Sequence, residues 1–207
     1  MTQHQILDSL THRALRVRTD SGAALGDAVM ACLLMPAEFR QAQAHFPILF
    51  RRDLESGTLS AVALFGFANG ENLFLEAGHW DAAYKPRLVH EGDEGVPLFD
   101  EAGQPSPWLD SIAQRLGDLD AAFQASADFF AALERHALLE PFTLDVPLVD
   151  GTRNSLVGFH IIDEERLRAL DAVALDELHR AGHLMPLFMA VASIAQFNEL
   201  VARKNRR

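Results

Sequence analysis

The group with the most obvious chemical capacity is His79-Trp80, followed by Tyr84, Lys85 and Arg87. Aromatic rings beside a histidine suit the rim of a ligand pocket, where they hold the apolar part of a bound molecule. The two cations offer charge-assisted hydrogen bonds to a carboxylate or phosphate. Glu91, Asp93 and Glu94 follow, so the charge is mixed along 84–97. Trp80, Tyr84, Phe99 and Trp108 bracket this loop-rich stretch, which is expected to be the functional edge of the molecule, a loop mounted on a scaffold. The same pattern also arises without a ligand, if the aromatics pack inward, His79 stays in water and the loop is simply solvated.

The other candidates are weaker. Among nine histidines, His179 and His183 have the i,i+4 spacing of paired metal ligands, but Gly182 falls between them at an expected helix end and would swing the second imidazole away. His160 with Asp163 or Glu164 has ligand chemistry, yet strand alternation running into a helix cap explains these residues too. Ser193 lacks the flanking glycines of a nucleophile elbow, and the glycines at 66, 70 and 78 match no phosphate-binding fingerprint. Glu164 and Glu165 are successive on a helix and cannot face one substrate together. Cys32, the single cysteine, sits in the apolar run 29–35 and reads as a small buried side chain, with no disulfide or cysteine-built zinc site available. No catalytic residue, metal or cofactor is assigned from these patterns.

The elements that must position the 79–99 stretch come from the chain before and after it. At 207 residues, 49% hydrophobic and 23% charged, the chain has the composition of one globular domain, 1–207. A net charge of −11 opposes nucleic-acid binding, since phosphate neutralisation needs a basic surface. The four cations Arg203, Lys204, Arg206 and Arg207 read as complements to a helix C-terminus. The N-terminal run has no basic start, apolar stretch and cleavage site of a secretory signal, and apolar windows such as 184–195 fall short of the roughly 18–20 residues of a membrane span. A cytoplasmic location without a membrane span is therefore expected.

Immediately before His79, two nearly uncharged arms flank Asn69-Gly70, the pair that best supplies a tight reverse turn, so 60–76 is expected to be a hairpin. Upstream, a weak strand is expected within 10–17, a strand at 31–35, a helix opened by Pro36-Ala37-Glu38 and running to about Ala44, and a strand at 46–50. Downstream, Ser106-Pro107 starts a helix that is expected to end near Gly117; a longer one follows from about Leu119 to Leu139, capped by Asp118, with Phe123, Phe130, Leu133 and Ala137 at helical spacing. A second hairpin around Asp150-Gly151 spans 143–162, Asp163 caps a short helix, Gly182 stops another at 174–180, and a last helix runs over about 186–203. The expected fold is α+β: a mainly antiparallel sheet built on two hairpins, covered by helices concentrated in the C-terminal half.

Several pieces in fixed order resemble the SapC family of bacterial proteins. They are L-R-V at 15–17, L-M-P-A-E-F at 34–39, F-P-I-L-F at 46–50, A-L-F-G-F-A-N-G-E-N-L-F at 63–74 and G-H-W-D-A-A-Y at 78–84. L-F-D-E-A-G at 98–103, L-L-E-P-F at 138–142, L-V-D-G at 148–151, L-V-G-F-H-I-I-D-E at 156–164 and G-H-L at 182–184 continue the series. The resemblance implies no catalytic motif. It implies an association with bacterial surface layers by name, and an accessory role by gene context, near outer-membrane receptors, flavin-dependent halogenase-like proteins and cupin-type hydroxylases. Family members usually continue after the position of Arg87 with an arginine-rich, Y-P-F-like segment; here V-H-E-G-D-E-G at 89–95 runs almost directly into L-F-D. The expected function is a non-catalytic protein binding a small molecule, a peptide or a partner protein, with His79, Trp80, Tyr84, Lys85 and Arg87 as ligand-binding residues. The alternative is an enzyme of unknown reaction with its site near the 79–99 loop.

Overall fold

A computed structural model describes residues 6–18, 22–23, 26–76, 79–84, 90–92, 95–147, 149, 151 and 153–206. Its centre is a five-stranded antiparallel sheet formed by β2 (Ala31–Leu34), β3 (Ile48–Arg52), β4 (Leu59–Leu64), β9 (Leu139–Pro147) and β10 (Arg153–Ile162), in the order β2-β4-β3-β10-β9. The protein is α+β, with antiparallel sheets and helices mostly in its C-terminal half.

Two hairpins do build the central sheet, but the first is not the one the Asn69-Gly70 pair announces. Residues 60–64 form the second arm of the hairpin β3/β4, in which Leu49 faces Val62 and Arg51 faces Ser60. On its other edge β4 pairs with β2, Leu33 facing Val62. Both edges of β4 are thus occupied, and no edge remains for residues 71–76 to join. The Asn69-Gly70 bend itself forms, with Gly70 at φ +77°, a Glu71 N–H donated to Ala68 O (3.0 Å) and a Leu73 N–H donated to Phe65 O (2.8 Å). The bend is held closed by Glu71, whose side chain accepts from Phe67 N (2.8 Å), and by Gly66, where a Cβ would lie 2.6 Å from the Glu71 carbonyl oxygen. The chain then leaves the sheet: Asn72 is buried and donates to Asp27 O, and β5 (Leu75–Glu76) pairs with β6 (His79–Trp80) as a separate two-stranded ribbon.

Directly opposed residues of antiparallel strands project to the same face. One face therefore carries Leu34, Ala61, Phe50, His160 and Ile162. A 3-10 turn (Pro36–Glu38) leads into α1 (Phe39–Ala42), and Phe39 meets both Phe50 and, edge-on, Phe129 of α2 (Pro107–Arg135), which covers this face. The opposite face carries Leu49, Phe142 and Phe159, and the Phe197 ring of α6 (Phe197–Asn205) lies 5.4 Å from that of Phe142. α3 (Glu164–Arg168) and α4 (Ala172–Arg180) start at Asp163 and Asp171, whose side chains accept from Arg166 N and Ala174 N.

Three readings of the helices change. α2 runs unbroken through Gly117, because nothing in its exposed middle forces a stop and a single glycine costs a helix only about 1 kcal/mol. Phe123, read as one of the core-spaced residues, is 58% exposed. At the C-terminus, α5 (Leu184–Ser193), a 3-10 turn (Ile194–Gln196) and α6 form one helical run, Leu184–Asn205, of 22 residues and mean hydropathy 1.5 over its best 18-residue window. By length and composition this run is long and apolar enough to cross a membrane, contrary to the expectation drawn from 184–195. In the fold its Leu187, Ala190, Ser193, Phe197 and Leu200 make one buried face, and Ser193 Oγ accepts from Ile48 N (2.9 Å) at the start of β3.

A second, smaller sheet joins β1 (Arg16–Arg18) to β7 (His90–Gly92) and β8 (Val96–Pro97). Its hydrophobic cluster of Val17, Leu98 and Phe99 packs under Trp108 and Leu109 at the start of α2.

Candidate functional site

The aromatic residues expected to bracket one site divide between two clusters. Trp80 and Tyr84 pack on the main core, whereas Phe99 and Trp108 belong to the smaller one beside β1. Trp80 lies half-buried with its ring 5.2 Å from Phe65 and 6.2 Å from Phe46, and its Nε1–H donates to the Tyr84 carbonyl (2.8 Å). Phe74, beside it, carries the Arg203 guanidinium 4.4 Å above its ring. His79 is exposed. Lys85 and Arg87 lie outside the described residues.

Tyr84 reaches back across the fold: its hydroxyl donates to Glu38 Oε1, while Glu38 Oε2 accepts from Met35 N (2.9 Å). Burial, followed by the Glu38 hydrogen bond, pushes the Tyr84 phenol upward. The same carboxylate lies near Cys32, whose thiol burial and then the Glu38 charge push up to about 12. A thiol and a phenol held protonated at neutral pH supply neither a thiolate nor a phenolate. What this cluster does supply is a tether, fixing the chain that enters the 85–89 segment to the turn before α1.

His179 is exposed near the end of α4, and His183 precedes α5 with Gly182 at φ +73° between them, so the two do not share a helix. His183 instead lies 5.5 Å from the Phe129 ring, and its burial lowers its pKa below the usual 6.5. Among the described residues no three His, Cys, Asp or Glu side chains converge as a metal would require.

The concave surfaces lie elsewhere. A groove of about 340 Å³ runs between α2 and the start of α5, with Ala122, Ala125 and Phe129 on one wall and Met185, Pro186 and Met189 on the other. Arg40 and His183 also line it. On the same two helices Phe123, Met185 and Phe188 are each more than half exposed. A second, more polar cavity of about 270 Å³ lies at the far end of the α2-covered face, between Arg52, Glu134 and His160. Neither was found from the sequence. The available signal for the groove was the apolar residues of α2 and α5, of which Phe123 reads as a core-spaced position.

The comparisons with known proteins agree with the resemblance seen in the motifs. The SapC family model matches residues 7–92 and 87–200. No curated protein and no solved structure matches the chain. With nearly its whole length covered by that model, the chain belongs to the SapC family.

Proposed function

We propose that this protein is a non-catalytic, accessory binding protein that receives an apolar peptide segment of a partner in the groove between α2 and α5. The observation that carries the reading is the groove itself, open along helices that leave Phe123, Met185 and Phe188 in water. Met185 lines the groove, Phe123 and Phe188 are next in sequence to its lining residues Ala122 and Met189, and exposed apolar surface of this kind marks interaction sites. The small side chains Ala37, Ala122, Ala125 and Ala181, with Gly182, let a peptide backbone approach closely, and Met185 and Met189 adapt to its side chains. Arg40 at the edge favours a peptide carrying an acidic residue beside its apolar anchors.

The alternative is an enzyme with its site by the 79–99 loop. Its support is the proximity of Cys32, Glu38 and Tyr84 at the entrance to that loop. Because the thiol and the phenol stay protonated and Trp80 and Tyr84 are engaged in packing, binding at the groove is the better reading. Peptide display against the intact chain tests it. Enriched sequences should share two or more large apolar residues and one acidic residue, and should lose binding to both Ala125→Arg and Met185→Asp. Absence of enrichment, or peptides that bind these variants unchanged, refutes the reading.

A further inference from the structure

We propose that the polar cavity at the C-terminal end of α2 binds a free α-amino acid with a hydrogen-bonding side chain. The cavity arises from strand register. Arg52 follows Phe50 by two residues, Leu59 faces Arg52, and Leu139 precedes Pro141, the partner of His160, by two. All therefore project to one face, which α2 covers with Leu133 and Glu134 before the helix ends.

Three features mark this cavity as more than a packing gap. Arg52 and Glu134 form a half-exposed ion pair at the margin (2.6 Å), a kind of contact that adds little to stability. Glu134 sits in the last turn of α2, where the helix dipole disfavours an anion. Ala137 is the one non-glycine residue at positive φ among those described (φ 50°), at the helix-ending position where glycine is usual. Its methyl group forms part of the cavity wall. Retained strain of this kind is commonest at functional sites.

The charges define the ligand. A cation and an anion side by side complement a zwitterion: the ligand carboxylate takes guanidinium N–H groups that Glu134 and Gly57 O leave unused, and its ammonium group takes Glu134. A singly charged molecule would meet one favourable and one unfavourable partner. The cavity is at the small end of ligand pockets, so the ligand is compact. Leu59, Leu133 and Leu139 accommodate its carbon chain, and the imidazole of His160, which lines the same cavity, offers a partner to a polar side-chain atom.

The test uses the intact chain with serine, threonine, asparagine and glutamine, each also as its N-acetyl and amide derivative. Thermal shift and histidine-ring NMR are read together. At least one free amino acid should stabilise the protein saturably and move the His160 ring signals, while its two blocked forms do neither. Arg52→Met and Glu134→Gln, at half-exposed positions that the fold tolerates, should each weaken binding by roughly tenfold or more. No saturable response to any of the four, equal responses to the blocked forms, or unaltered affinity in both variants overturns the proposal. The site is separate from the peptide groove, so Ala125→Arg should leave this binding unchanged, and either proposal can fail without the other.

Discussion

The Tyr84 hydroxyl donates to Glu38 across 46 positions of sequence, and this bond joins the segment after β6 to the turn before α1. A half-buried hydrogen bond to a charged acceptor contributes on the order of 1–2 kcal/mol. Tyr84→Phe keeps the ring beside Phe46 and removes only the donor. Its unfolding free energy, measured by urea denaturation, should fall by that amount, and a double-mutant cycle with Glu38→Ala should return a coupling energy of similar size. Additive single effects would show that the two side chains act independently.

Gly117 lies inside α2 with open space where a Cβ would stand and without a positive φ. Gly117→Ala should therefore raise stability by up to about 1 kcal/mol, seen as a higher melting temperature, because alanine loses less backbone entropy in a helix. A helix ending at this residue would place it in the left-handed region and reverse the sign. Destabilisation by alanine would thus argue for two helices in place of one.

His183 is held neutral by burial, with Asp128 opposing the shift and Arg135 adding to it. Its folded pKa lies below its unfolded value of 6.5, so the unfolded chain binds more protons between the two. The stability contribution of the neutral ring is complete above about 6.5 and is lost as pH falls through the folded pKa. Denaturation at a series of pH values from 7.5 to 5, compared with His183→Gln, measures it. The wild type should lose more stability than the variant across the acidic part of that range; parallel curves would remove His183 as the cause.

The elements that the sequence determined by itself are those closed by bonds between near neighbours. Ser106 accepts from Leu109 N and Asp163 from Arg166 N, each three residues away, and both helix starts were readable from residue type alone. The arms of β9/β10 were readable for the same reason, since a short connection brings adjacent apolar segments together. The bend at Asn69-Gly70 was also legible, and it forms. What no local pattern contained was the competition for β4: β2, β3 and the 71–76 arm all carry apolar residues, and the choice among them depends on which arrangement buries the most apolar surface in the whole fold. Trp80 and Tyr84 turned inward for that reason, because the departing arm carried them over Phe46, Phe65 and Phe74. The groove and the polar cavity are gaps between segments separated by tens of residues, such as Arg52, Glu134 and His160. Their existence depends on strand register and on how far α2 continues past Gly117, and only packing of the whole chain sets both.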